Sequence, residues 1–181
     1  MLCMIENRGL FMENNIIEES GLKFQFPKND TVIKFDDTKF YRDYFNKLPE
    51  AKGVDFISVD KNKIAFIEVK NCTGDEGNCR WRIAPNNQKR NTTHTSVNVE
   101  GRDSLDIEMA QKTAMTIAAL IGAKSFGDTK ECLCELREYI QFLSKDAFSD
   151  NSKKKYVILF LEGDFGGKTR SKKMIMKALQ D

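Results

Sequence analysis

Histidine is almost absent from this sequence, because His94 is the only one among 181 residues. A single imidazole excludes metal centres built from several histidines. Apolar runs are short, and none approaches the roughly 18 residues that suggest a membrane-spanning helix. The first ten residues lack the basic, apolar and small-residue blocks of a signal peptide. These absences predict a soluble cytoplasmic protein with no membrane partner.

The sequence also has a small net charge and few cysteines. The net charge is only +2, which neither requires nor excludes a nucleic-acid partner, because a small basic patch can lie within a balanced total. The five cysteines are odd in number and scattered, which predicts reduced thiols rather than a disulfide framework. The spacings of Cys72 from Cys79 and of Cys132 from Cys134 do not fit common zinc pairs.

The remaining composition, 40% hydrophobic and 31% charged, is enough to build a core. The length predicts one domain over residues 1–181, and neither a repeat nor a linker interrupts it. Apolar patterning alternates between strand and helix periods, which indicates an α/β fold. The expected helices are 10–20, 39–48 with Asp37 or Thr38 as cap, 105–123, 131–148 and 171–180, and the expected strands are 22–26, 31–35, 54–60, 63–70 and a buried 156–162.

The segment 71–103 is polar and long for a plain loop, so we expect it to be functional or to contain a minor hairpin with strands at 81–83 and 97–99. The helix that follows has apolar residues at helical spacing, which predicts that they face the core. Those residues are Ile107, Ala110, Ala114, Ile117, Ala118 and Ile121.

The two strands at 54–60 and 63–70 predict a hairpin whose turn is Lys61-Asn62. With that turn, Val59 faces Ile64 and Asp55 faces Glu68. Lys70 lies one pleat further along, on the same face, because side chains alternate along a strand. Like charges that oppose each other destabilise a sheet, whereas a divalent cation between them reverses that effect. The alternative is a partly solvated face on which Lys70 bridges the two carboxylates.

These residues resemble the signature of the PD-(D/E)XK nuclease superfamily, the restriction-endonuclease-like fold. The matching segments are V-D-F-I at 54–57 and I-E-V-K at 67–70, with twelve residues between Asp55 and Glu68. Val54 stands where the signature has proline. The resemblance covers about residues 38–122, with 156–162 as the next core strand. It implies a mixed central β-sheet flanked by helices, with 71–103 as an insertion after the Glu-x-Lys strand.

The resemblance also implies a chemistry. Asp55 and Glu68 would hold Mg²⁺ or Mn²⁺, the Val69 carbonyl would be a further ligand, and Lys70 would be the catalytic cation. In many members of that superfamily the active site also includes a glutamate from the first helix and a Gln or Lys from the helix after the motif. The matching residues are Glu18 or Glu19, and Gln111 or Lys112, although an exposed polar side chain is the better explanation of each.

Basic residues around Trp81 in the insertion suit contacts with phosphate and stacking on bases, and a solvated loop explains them too. They are Arg80, Arg82, Lys89 and Arg90. The leading hypothesis is therefore a metal-dependent nuclease that acts on nucleic acid, with DNA favoured over RNA, as a monomer or a homodimer. Two alternatives stay open: an inactive nuclease-like module that binds nucleic acid or protein, and a structural subunit of a larger complex.

Overall fold

Six strands in two sheets organise the computed structural model, which describes residues 16–83, 105–125, 131–144 and 152–164. A two-stranded hairpin precedes a four-stranded mixed sheet. In the larger sheet the first three strands are antiparallel neighbours, and the fourth lies parallel to the third. The hairpin consists of β1 (Ile16–Glu19) and β2 (Leu22–Gln25), and the sheet has the order β3 (Thr31–Lys34), β4 (Phe56–Val59), β5 (Lys63–Asn71) and β6 (Lys154–Glu162).

Helices flank the mixed sheet, which confirms the predicted α/β class. The cap of the first helix is Thr38, whose hydroxyl oxygen accepts a hydrogen bond from the Tyr41 N–H at 3.0 Å. None of the helices in the four described ranges is long and apolar enough to span a membrane. The helices are α1 (Lys39–Asp43), α2 (Glu76–Ile83), α3 (Leu105–Lys124) and α4 (Arg137–Ser144), with 3₁₀ turns at Phe35–Asp37, Phe45–Lys47 and Glu131–Leu136.

The hairpin of β4 and β5 has the register that the sequence predicts. Val59 lies opposite Ile64, and Phe56 lies opposite Ile67. Asp55 continues the pattern just before β4, where its N–H donates to the Ile67 carbonyl at 3.1 Å. A slip of one residue would exchange the two faces of β5 and move Glu68 and Lys70 to the face that packs on the first hairpin, so the position of these charges disfavours another register.

Each face of the hairpin is covered by a different part of the chain. Ile57 and Phe66 point to the side that carries the helices, where they join a cluster with Leu120, Leu136 and Tyr139. On the other side, Phe56, Ala65, Ile67 and Val69 pack against side chains of the first hairpin and the segment after it, namely Ile17, Leu22, Phe24 and Phe26. Double coverage explains why β5 is apolar on both faces.

The predicted helix over residues 10–20 is wrong for its described part. Residues 16–19 form β1, and residues 10–15 lie outside the described ranges. Ser20 and Gly21 both have positive φ, 52° and 75°, and Glu19 pairs with Leu22 across them. A two-residue hairpin turn of this kind needs positive φ at both central positions, which suits glycine. Gly21 therefore reverses a strand instead of ending a helix.

The predicted inner face of α3 is also wrong. Ala110, Ala114, Ala118 and Ile121 are exposed, and Ile107 and Ile117 are only half-buried. The buried stripe lies on another side of the helix and includes two threonines. Thr116 is fully buried because its hydroxyl donates to the Lys112 carbonyl and accepts the N–H of Val54. The buried residues of the helix are Leu105, Met109, Thr113, Thr116, Leu120 and Ala123.

The start of the insertion differs from the prediction in two respects. Residues 76–83 form α2, so the strand expected at 81–83 is a helix, while 97–99 lie outside the described ranges. Cys72 and Cys79 form a disulfide, which corrects the expectation of reduced thiols for this pair, whereas Cys132 and Cys134 are free thiols as expected. The turn after β5 brings their Cα atoms to 6.1 Å, a separation that a disulfide can bridge. The bond ties α2 to the end of the strand that carries Glu68 and Lys70.

The expectation of a buried last strand is wrong as well. β6 pairs in parallel with β5 along its whole length, but it lies at the edge of the sheet. Tyr156, Val157, Ile158 and Phe160 are all exposed. An apolar run alone does not distinguish a central strand from an edge strand, which explains the error.

Candidate active site

Two carboxylates meet where β4 begins and β5 nears its end. Asp55 Oδ2 accepts a hydrogen bond from the Val69 N–H at 2.7 Å. Glu68 is almost fully buried, with 1% of its surface exposed. Because the N–H and C=O of one residue point to the same side of a strand, the Val69 carbonyl also points toward Asp55. The hairpin thus gathers the three oxygen donors that the resemblance implies.

The buried Glu68 carboxylate has two unequal oxygens. Its Oε1 atom lies 2.8 Å from Lys70 Nζ and 2.5 Å from Lys112 Nζ. Its Oε2 atom is buried and has no hydrogen-bond partner within the part of the chain that the structure describes. A buried carboxylate oxygen without a partner is costly, so it marks a position where a ligand or ion would be stabilising.

Glu108 belongs to the same cluster, and the sequence reading missed it. Its Oε1 lies 2.9 Å from Lys70 Nζ and 4.0 Å from Lys112 Nζ, and its Oε2 pairs with Arg82. A glutamate four residues before a lysine shares its side of a helix, so the spacing of Glu108 and Lys112 was an available signal. Lys70 therefore contacts two carboxylates, those of Glu68 and Glu108.

Electrostatics at the site favour protonation of Asp55. Burial, and next the negative charge of Glu68, raise the pKa of Asp55 to about 6. The Val69 N–H and the Lys112 ammonium, which is 3.9 Å from Oδ1, act in the opposite direction but do not cancel this rise. A carboxyl group whose pKa is raised by burial and by a neighbouring carboxylate is typical of sites that bind a cation.

Of the two α3 residues that the resemblance suggested for the site, Gln111 and Lys112, only Lys112 reaches it. Lys112 points into the site, as its contact with Glu68 shows. Gln111 is exposed and accepts a hydrogen bond from Lys52 Nζ at 2.8 Å, so its expected inward direction is wrong. The error follows from the wrong choice of the inner face of α3, since Gln111 was grouped with Ile107 and Ala114.

Neither glutamate of the first hairpin joins the two carboxylates directly. Glu18 is exposed and lies 3.4 Å from Lys23. Glu19 Oε2 lies 2.8 Å from Lys34 Nζ. Its charge contributes the smallest of the effects that raise the pKa of Asp55. Both residues are on β1, so the expectation of a glutamate from a first helix does not hold for them.

Of the four basic residues that the sequence suggested for nucleic-acid binding, the structure describes the side chain of Arg82 alone. Arg82 lies in α2 and pairs with Glu108 at the edge of the site. Arg80 is in the same helix, but its side chain lies outside the described part, as do Lys89 and Arg90. A contact between these residues and nucleic acid therefore stays a prediction.

The cluster as a whole combines three carboxylates with three cationic side chains. In the described ranges, no three carboxylate, imidazole or thiol side chains converge closely enough to hold a metal ion by themselves. Mg²⁺ is commonly held by one or two carboxylates and completes its octahedron with water and phosphate oxygens. Asp55, Glu68 and the Val69 carbonyl fit that kind of partial site, and Lys70 and Lys112 supply positive charge beside it.

Comparisons with known proteins identify a family but no activity. No curated protein and no solved structure matches the chain. A match to residues 38–181 covers all six side chains of the cluster, which are Asp55, Glu68, Lys70, Arg82, Glu108 and Lys112. The matching family is DUF6661, a family of unknown function, and the chain belongs to it.

Proposed function

We propose that this protein is a metal-dependent nuclease that hydrolyses phosphodiester bonds, with a restriction-endonuclease-like core. The observation that carries the proposal is the pairing of Asp55 with the buried Glu68 across one end of the hairpin. Isolated buried carboxylates are expensive, and two of them side by side more so. A divalent cation gives that arrangement a stabilising role.

The donor set is suited to Mg²⁺ or Mn²⁺. Asp55, Glu68 and the Val69 carbonyl offer oxygen ligands only, which hard divalent cations prefer. The partnerless Oε2 of Glu68 supports the fit, because ligation would satisfy it. When bound, such an ion would stabilise negative charge on a scissile phosphodiester and lower the pKa of an attacking water.

The lysines of the site have complementary tasks in this proposal. Lys70 lies between Glu68 and Glu108, which fixes its ammonium at the mouth of the site. Held there, it would contact a phosphate oxygen and offset the charge that develops during hydrolysis. Lys112 offsets the charge of Glu68 from α3. Glu108 acts as a positioning residue, since it contacts Lys70 rather than the substrate.

The substrate class rests on the resemblance and on charge. We propose DNA, with Arg82 beside the site and Arg80, Lys89 and Arg90 along the same segment as phosphate contacts. Cytoplasmic location stays a prediction, and the Cys72–Cys79 disulfide counts against it, because such bonds are rare in that compartment. Alkylation of free thiols in cell extracts, followed by mass spectrometry, would determine the redox state of this pair.

A second candidate function is an inactive module that keeps the nuclease fold to bind nucleic acid or protein. The observation in its favour is that two ammonium groups already contact Glu68 Oε1. A carboxylate neutralised in this way needs no metal ion for stability. The two functions differ in whether divalent cations support cleavage.

Cleavage by the purified chain tests the proposal. Labelled linear DNA, branched DNA, single-stranded DNA and RNA would be incubated with Mg²⁺, Mn²⁺ or EDTA. We expect metal-dependent cleavage that Glu68→Gln and Lys70→Ala each reduce by about 100-fold or more. Glu18→Gln is the matched control, because Glu18 is exposed and pairs with Lys23 rather than with the residues of the site. Binding of nucleic acid without cleavage, equal in all variants and unchanged by EDTA, would favour the inactive module.

A further inference from the structure

The outer edge of β6 is an unusual surface for a protein that acts as a monomer. Val157 is 57% exposed, Tyr156 46%, Ile158 40% and Phe160 38%. Among the described residues, no strand pairs with the side of β6 that faces away from β5. Long apolar edge strands are templates for pairing, and proteins normally shorten them, charge them or interrupt them with proline. β6 is nine residues long, and its centre has none of these features.

The charges of β6 lie at its two ends and have opposite signs. Lys154 begins the strand and Glu162 ends it, while the seven residues between include only one further charge, Lys155. Two copies in antiparallel pairing would bring each lysine end beside a glutamate end. A parallel arrangement would bring like charges together, which is destabilising in a sheet.

We propose that β6 is a homodimer interface, in which a second copy adds its own β6 antiparallel across a two-fold axis at Ile158. In this register Lys154 lies opposite Glu162 of the other copy, and Tyr156 lies opposite Phe160. Aromatic pairs and opposite charges are favourable cross-strand neighbours. A shift of two residues toward the C-terminus would place Lys154 opposite Asp164 and Tyr156 opposite Glu162. Only the register centred on Ile158 combines the pairing of Lys154 with Glu162 and that of Tyr156 with Phe160, so the two pairs together select it.

The aromatic side of the interface continues a surface that already exists within one copy. Phe160 packs edge-on against Phe24 of the first hairpin, with ring centres 5.0 Å apart. Tyr156, Ile158 and Phe160 share this face because side chains alternate along the strand. The second copy would therefore extend an apolar layer and cover its exposed end. A contact limited to two strands is small beside interfaces of roughly 1,200 Å² or more, so we expect dimerisation to depend on concentration.

This arrangement has a consequence that rests on the proposed function. Glu68 is level with Leu159, one residue from the two-fold axis. An axis perpendicular to the sheet keeps both sites on the same face, separated by three strand spacings, or about 14 Å, across the strands. Two sites this close would act on one duplex rather than on separate molecules.

The test is the mass of the full chain in solution, which does not depend on cleavage. Sedimentation velocity over a wide concentration range should show a species of twice the 20.8 kDa monomer mass. Glu162→Lys places like charges together at both ends of the interface and should weaken the dimer by about tenfold or more. Lys154→Glu should do the same, and the double variant with exchanged charges should restore dimerisation.

Two further variants separate the interface from general effects. Ile158→Lys puts two lysines on the axis and should abolish the dimer. Ile121→Lys, at an apolar residue of α3 with 50% exposure, is the matched control and should leave the mass unchanged. Circular dichroism would check that every variant is folded. A monomer at all concentrations, or a charge exchange that fails to restore pairing, would overturn the proposal and leave the edge to a different occupant.

Discussion

Replacement of Asp55 by asparagine is expected to stabilise the metal-free protein while it removes cleavage. The pKa of Asp55 rises from 3.8 to about 6 in the folded state, mainly through burial. Each pH unit between these values is worth about 1.4 kcal/mol. Ionised Asp55 therefore costs up to about 3 kcal/mol of folding free energy at pH 7. Asparagine carries no charge and keeps an oxygen that can accept the Val69 N–H.

The sign of the pH dependence follows from the same shift. Between about pH 4 and pH 6 the folded protein retains a proton that the unfolded chain has lost. Stability of the wild type therefore falls as pH rises through this window, and the loss is complete above pH 6. The advantage of Asp55→Asn should be largest at pH 7–8, at about 1–3 kcal/mol, and should shrink as pH falls toward 4.

Urea denaturation in EDTA at several pH values measures this difference. Asp60→Asn is the control of opposite sign, because hydrogen bonds from the Asn62 and Lys63 N–H groups lower the pKa of Asp60. That variant should lose stability at neutral pH. The conclusion that folding raises the pKa of Asp55 would be wrong if Asp55→Asn were no more stable than the wild type at pH 8. It would also be wrong if the advantage of the variant did not change with pH.

Three other perturbations test the packing around the site by chemical denaturation. Lys112→Met removes one cation from Glu68 and should cost about 1–3 kcal/mol, whereas Gln111→Met on the exposed side of α3 should change stability by less than about 0.5 kcal/mol. Gly53→Ala would put a Cβ 2.9 Å from aromatic ring carbons and should cost about 1–3 kcal/mol. Gly122→Ala meets no atom within 4 Å and should add about 0.5–1 kcal/mol. Cys72→Ser should cost about 2–3 kcal/mol under oxidising conditions and should match the wild type once a reductant opens the disulfide.

The hairpin that carries the site was predictable because several local signals agree. The turn at Lys61-Asn62 and the position of Glu68 and Lys70 on one face of the otherwise apolar β5 require the same register. That register places Asp55 opposite Glu68, and the contact through the Val69 N–H bears it out. Thr38 was predictable for a similar reason, since a cap depends on residues within one turn.

Features that depend on tertiary placement were not predictable in the same way. Alanines cover much of the surface of α3, so apolar spacing indicated a face that is exposed, and the true inner face includes buried Thr113 and Thr116. Because of that single error, Glu108 was not predicted as a residue of the site and Gln111 was expected to point inward. A threonine can be buried when its hydroxyl finds a partner, and the partner of Thr116 lies 62 residues away in sequence.

The first hairpin and the disulfide illustrate a different limit. The residues of β1 suit helix and strand alike, and the contacts of Ile17 with the sheet favour the strand. The Cys72–Cys79 bond arises because α2 turns back on the end of β5, which spacing alone does not reveal.

Titration with Mn²⁺, followed by electron paramagnetic resonance, tests most directly whether Asp55 and Glu68 form a metal site. We expect the wild type to remove free Mn²⁺ from solution, and Glu68→Gln and Asp55→Asn to lose that binding. Glu18→Gln should bind as the wild type does. If the wild type bound no Mn²⁺, or if Glu68→Gln bound it equally well, the cluster would be a structural network of ion pairs and the nuclease proposal would fail.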